Sequence, residues 1–131
     1  MDKKNKTVMC FGTFDRLHPG HISYLKQAGE YGEILIVVIA RDVNVKKIKG
    51  RLPSKNEAER LEEIKKIKFV DQAVLGQIKN KYNIIKKYNP DVICLGYDQN
   101  VDETELRTVF KNKIIRLKPY KEELYKSSKL N

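Results

Sequence analysis

Short continuous apolar runs alternate with helix-spaced apolar stripes along this chain. Residues 8–11, 34–40, 70–75, 92–95 and 114–117 read as strands. Several are apolar at consecutive positions, the pattern of strands covered on both faces. Between them, Ile22, Leu25 and Ala28 share one helical face, as do Ala58, Leu61, Ile64 and Ile67. Tyr82, Ile85 and Tyr88 form a third stripe, and Leu106, Val109 and Phe110 a fourth. The punctuation agrees: Gly32 follows the first helix, Ser54 with Glu57 three residues on suits an N-cap of the second, and Pro90 follows the third. Such alternation implies right-handed crossovers, so the chain is predicted to be an α/β domain with a five-stranded, mostly parallel sheet flanked by helices. Residues 1–131 are expected to form that one domain, with no repeat, low-complexity tract or linker inside it.

In an open α/β sheet, ligands bind beyond the carboxyl ends of the strands, near the point where strand order reverses. Three stretches fall at such ends: residues 12–21, 41–51 and 96–100. They are predicted to face one crevice.

Composition narrows the choice of ligand only partly. The net charge is +10, from 27 Lys plus Arg against 17 Asp plus Glu. A positive field concentrates anions, so nucleotides, phosphorylated metabolites and nucleic acid all suit it. The lysines are spread along the chain, however, and charge alone selects none of these. The longest apolar run, residues 34–40, is far too short to span a membrane. The first residues carry no signal-peptide pattern, so no membrane partner and a cytoplasmic location are expected. Cys10 and Cys94 lie within apolar strands and are expected to be buried free thiols.

The chemistry concentrates after the first strand. There the chain reads Gly12-Thr13-Phe14-Asp15-Arg16-Leu17-His18-Pro19-Gly20-His21 and then enters a helix. A helix start offers free N–H groups and partial positive charge to an anion. Gly12 and Gly20 would let polyphosphate approach the backbone. His18 and His21, the only histidines, are spaced so that both rings can point at one bound phosphoryl group and stabilise charge as it develops.

This stretch resembles the signature of the cytidylyltransferase-like nucleotidyltransferases, and the resemblance covers nearly the whole chain. It implies a Rossmann-like fold and direct transfer of a nucleotidyl group to a phosphorylated acceptor, with release of pyrophosphate. Within the family, Ala40-Arg41-Asp42, Lys49-Gly50-Arg51 and Leu95-Gly96-Tyr97-Asp98-Gln99 are most similar to the archaeal FAD synthases, which transfer AMP from ATP to FMN. The near neighbour is glycerol-3-phosphate cytidylyltransferase, which uses CTP and another phosphomonoester. The resemblance assigns catalysis to His18, His21 and Lys49, and nucleotide binding to Gly12, Thr13, Phe14, Pro19, Gly20 and Asp98 together with the histidines. Tyr125, Ser127 and Ser128 would add a Ser-rich nucleotide contact near the C-terminus. Arg41, Lys46 and Arg60 would meet the acceptor or its phosphate, within a basic loop over residues 41–51 that closes on the triphosphate. Arg60 has a plainer reading as an exposed helix charge. Tyr97, Tyr120 and Tyr125 are available as flat surfaces for a flavin ring. The implied cofactor is a divalent cation, Mg²⁺, bridging phosphate oxygens; the sequence holds no dedicated metal cluster. A homodimer is compatible with the resemblance.

A nucleic-acid-binding module is the rival class, but no recognition aromatic pair, zinc spacing or helix-turn-helix pattern supports it, and no nucleic-acid partner is expected. A pseudoenzyme would be expected to have lost His18 or His21; both are present.

Overall fold

The computed structural model describes residues 5–119. Their elements run β1 (Thr7–Gly12), α1 (Pro19–Gly29), β2 (Ile34–Ile39), α2 (Asp42–Lys49), α3 (Glu57–Lys65), β3 (Gln72–Leu75), α4 (Asn83–Tyr88), β4 (Val92–Leu95), α5 (Glu103–Val109) and β5 (Lys113–Arg116). The five strands form one sheet in the order β3-β2-β1-β4-β5, and every neighbouring pair is parallel. The expected mostly parallel sheet is therefore parallel throughout.

Two-residue periodicity splits the core between the two faces. Val8, Cys10, Leu35, Val37, Ile39 and Cys94 pack with Leu25 and Ala28 of α1 and Ile64 of α3. On the other face Met9, Ile36, Val38, Ile93 and Leu95 pack with Ile84 and Ile85 of α4 and Leu106 of α5. Both cysteines are buried and free, as expected, and Cys10 sits in register with Cys94. Burial pushes the Cys94 thiol up to about 12 and Cys10 higher still, so neither is a thiolate at neutral pH. No described helix is long and apolar enough to cross a membrane.

Three local expectations are corrected. Residues 41–51 are not a loop: α2 occupies most of them. Asp42 stands in its first turn and Lys46, Lys47 and Lys49 in its last, matching the helix dipole. Gly50 ends it in the left-handed conformation at φ 81°. Ser54 does not cap α3; Asn56 does, in a reciprocal capping box with Glu59. On α3 Ala58 is exposed, and the position buried beside Ile64 is Arg60.

Candidate functional site

Strand order reverses at β1, between β2 and β4, so the crevice opens where β1 and β4 part. Their pairing ends at Cys10 and Cys94. Beyond it two side chains bridge the gap. The Tyr24 hydroxyl accepts from the Phe11 N–H at 3.3 Å and lies 3.1 Å from both the Phe11 and Cys94 carbonyl oxygens. Gln99 accepts the Gly96 N–H at 2.9 Å and donates its amide to the Phe11 carbonyl at 2.9 Å. Arg116 holds the turn from Gly96 to Gln99 by donating to both their carbonyls, while its other arm meets Glu103. Asp98 and Tyr97 stand exposed on that turn.

On the β1 side the motif loop is clamped into an unusual path. Phe14 and Arg16 both have positive φ, 54° and 56°, which costs energy for residues with a Cβ and persists only under outside constraint. Constraint is visible. Asp15 accepts the N–H groups of Ser54 and Lys55 at 2.7 and 3.0 Å. Partial desolvation opposes ionisation of Asp15, but those hydrogen bonds and the Arg60 charge win and lower its pKa. Arg60 donates to the Thr13 carbonyl at 2.8 Å, the Lys55 carbonyl at 3.0 Å and the Asp42 carboxylate at 2.6 Å. Asp42 in turn accepts the Glu57 N–H, and Glu57 accepts the Asp42 N–H and the Arg41 guanidinium. One network thus ties the motif loop to the starts of α2 and α3.

This placement corrects one expected phosphate contact and qualifies another. Arg60 is fully buried and is neither an exposed charge nor free to meet an acceptor. Phe14 is a core residue, 3% exposed. Arg41 is engaged by Glu57 and the Gly76 carbonyl.

Two glycines of the motif also make room for protein rings. A Cβ on Gly12 would lie 2.6 Å from the Phe14 ring, and one on Gly20 would lie 2.8 Å from the His18 ring. The N–H groups at the start of α1 are not free. Pro19 has none, Gly20 donates to His18 Nδ1 at 3.0 Å, and His21 and Ile22 donate to the His18 carbonyl.

The two imidazoles stand at this helix start. As N-cap of α1, His18 uses Nδ1 as an acceptor, so the proton of its neutral ring sits on Nε2. Its exposed ring stacks on His21 with centroids 3.8 Å apart and planes 22° apart. His21 meets Phe14 edge-on at 5.5 Å, and Phe14 stacks on Tyr24 at 6.1 Å. Burial, then the His18 and Lys49 charges, outweighs Asp15 and holds the His21 pKa down to about 4. Among the described residues His21 Nδ1 is buried without a hydrogen-bond partner. A neutral ring with its proton on Nε2 avoids burying an unpaired N–H there. The stack therefore places a neutral His21 ring beside His18 Nε2 at the positive end of a helix, with the Lys49 charge acting on it.

A pKa depressed below the unfolded value makes His21 stabilising in full above about pH 6.5. That contribution is lost as pH falls through the window toward about 4. NMR titration of the His21 ring should give a midpoint near 4. A midpoint near 6.5 would contradict its neutral, desolvated state.

Lys46 and Lys49 are exposed on α2, and Thr13 contributes its carbonyl to Arg60. Tyr120, Tyr125, Ser127 and Ser128 lie outside the described residues. A shallow groove runs from His18 and Pro19 along α1 past Ile22, Lys26 and Glu30, and there Gln27 pairs with the Lys118 backbone through both its amide atoms. Among the described residues no three His, Cys, Asp or Glu side chains converge on one point. Asp15 and Asp42 each already accept two hydrogen bonds from N–H or guanidinium donors.

The sequence reading missed Tyr24, Asp15 as a clamp, Asp42, Glu57 and Arg116, and it did not see what Gln99 does. Two of these carried a local signal. Asp15 lies inside the motif, and Tyr24 stands one helical turn after His21.

Comparison with known proteins agrees with this geometry. The family described as Cytidylyltransferase-like matches residues 9–129. An FAD synthase of Thermococcus sibiricus is 43% identical, the match covering 99% of this chain and 93% of the relative. An FAD synthase of Methanothermus fervidus is 45% identical, covering 86% and 83%. Among solved structures, the lipopolysaccharide core biosynthesis protein from Thermoplasma volcanium aligns with a TM-score of 0.81 at 40% identity, covering 88% of this chain and 98% of that one.

Proposed function

Because this chain belongs to the cytidylyltransferase-like family, we propose that it is an FMN adenylyltransferase, an FAD synthase that joins AMP from ATP to FMN and releases pyrophosphate. The substrates come from the relatives named FAD synthase, which match most of the chain. The observation that carries the chemistry is the stacked pair His18 and His21 at the start of α1.

A phosphate oxygen of FMN attacks the α-phosphorus in line, the bond to the β-phosphate oxygen breaks, and pyrophosphate leaves. The protein supplies no nucleophile. Its work is positioning and stabilising charge that grows on phosphoryl oxygens in the transition state. His18 Nε2–H, its tautomer set by the Gly20 N–H, and the His21 ring donate to those oxygens. A neutral His21 ring suits this role: it donates without holding the ground-state triphosphate as tightly as a cation would. Lys49, with Lys46 on the same helix, offsets the negative charge that triphosphate and incoming phosphate bring together. Thr13, Pro19 and the glycine backbone line the β1 side, and Asp98 on the β4 side faces the nucleoside. A divalent cation such as Mg²⁺, if carried in with the triphosphate, would lower repulsion between the two anions.

Pyrophosphate release should be measured with ATP, CTP, GTP and UTP, each paired with FMN, glycerol 3-phosphate and phosphocholine. ATP with FMN is expected to exceed every other pair. Faster turnover of CTP with glycerol 3-phosphate would keep the transferase but overturn the substrates.

A further inference from the structure

The last turn of α2 carries an apolar side chain that nothing in the core claims. Val45 is buried, and helical spacing puts Ile48, three residues on, beside it on the inward flank. Ile48 should then pack inward, yet it is 84% exposed, the largest value among the exposed large apolar residues. Leu52, just past the helix, is 57% exposed. Between them lie Lys49, Gly50 and Arg51, all exposed. A Cβ built on Gly50 would meet nothing within 4 Å, so the space at this corner is open. An exposed pair of aliphatic side chains flanking two cations is a surface with two affinities.

The neighbourhood says what would use both. α2 starts just past the carboxyl end of β2, where Ile39 pairs with Gly12, and Arg60 ties its Asp42 to the Thr13 carbonyl of the motif loop. α2 therefore borders the phosphoryl-transfer centre, and the Lys49 charge is felt at His21. Across the crevice the β4 side is built differently. It presents Asp98 and backbone amide groups pinned by Gln99 and Arg116, a polar edge whose Arg116 is engaged by the Gly96 and Gln99 carbonyls and by Glu103. The adenosine portion suits that polar edge. A second substrate with a phosphomonoester at one end and a flat apolar ring at the other suits the α2 corner.

We propose that Ile48 and Leu52 form the docking surface for the isoalloxazine ring of the acceptor, with Lys49 and Arg51 drawing its phosphate toward the histidine pair. The inference rests on the FMN adenylyltransferase reading and adds the residues that select a flavin over a small phosphomonoester. Lysines alone would accept glycerol 3-phosphate equally well. The aliphatic pair adds affinity only for a substrate with an apolar face to cover it.

The test is steady-state kinetics of Ile48→Ser, Leu52→Ser and the double variant, with Tyr97→Ala as the other exposed ring-sized surface. Both α2 positions are exposed, so folding should survive, which circular dichroism and a melting curve would check. The double variant is expected to raise KM for FMN about tenfold, with KM for ATP and kcat within a factor of about two. Unchanged KM for FMN in the double variant would overturn the proposal while leaving the parent's FAD synthesis intact. So would a rise confined to Tyr97→Ala. Conversion of a dimer to a monomer by sedimentation, with KM for FMN unchanged, would assign the patch to a second copy of the chain and overturn it too. If the parent makes no FAD at all, the functional reading fails, and this inference falls with it.

Discussion

Replacing either histidine by alanine should lower turnover by about a hundredfold or more, with ATP affinity changed far less. The reason is that both rings offer donors whose bonds strengthen as charge builds on the transferring phosphoryl group. His18 needs a second variant, because it also caps α1 through Nδ1. Losing a cap costs about 1 kcal/mol of stability, which must be separated from losing the donor. His18→Ser keeps a good N-cap but places no N–H where Nε2 stands. It should therefore melt near the parent and remain as slow as His18→Ala. For His21 no cap is at stake, and removing a ring that rests against Phe14 and His18 leaves the core clusters intact. Activity within a few-fold of the parent in either alanine variant would remove the histidines from the mechanism.

Arg60→Met should destabilise the fold by about 3 kcal/mol or more, because it strands the partners of a fully buried guanidinium. Asp42 would keep its carboxylate but lose the cation beside it, and the carbonyls of Thr13 and Lys55 would lose their donors. Denaturant unfolding measures this directly. Lost activity should follow from the motif loop losing its positive-φ path at Phe14 and Arg16 rather than from weaker phosphate binding. If Arg60→Met melted like the parent and only raised KM for a substrate, the side chain would be a ligand contact after all.

The contrast between these two positions shows what the sequence can carry. β4 was legible to the residue because helices cover both its faces, leaving an unbroken apolar run from Val92 to Leu95. The histidine pair was legible because its spacing and its place after an apolar strand are local facts. α2 was not, since one buried residue, Val45, makes no apolar stripe and its lysines read as a solvated loop. Asn56 lost to Ser54 as a cap because both fit the rule, and only tertiary contact shows the Ser54 N–H already bound to Asp15. Arg60 and Thr13 lie 47 positions apart in sequence, and no periodicity reports a hydrogen bond over that span. The closeness of the Phe14 and His18 rings to the motif glycines is likewise a contact that spacing alone does not reveal.

The central claim is direct transfer of AMP to FMN by a protein that offers donors and no nucleophile. It is tested most directly by incubating the purified chain with α-phosphorus-labelled ATP, Mg²⁺ and FMN, then separating flavins, pyrophosphate and protein. Label should appear in FAD in equal amount to pyrophosphate released, and none should stay on the protein when FMN is left out. Labelled protein formed without FMN, or no labelled FAD with it, would contradict the account.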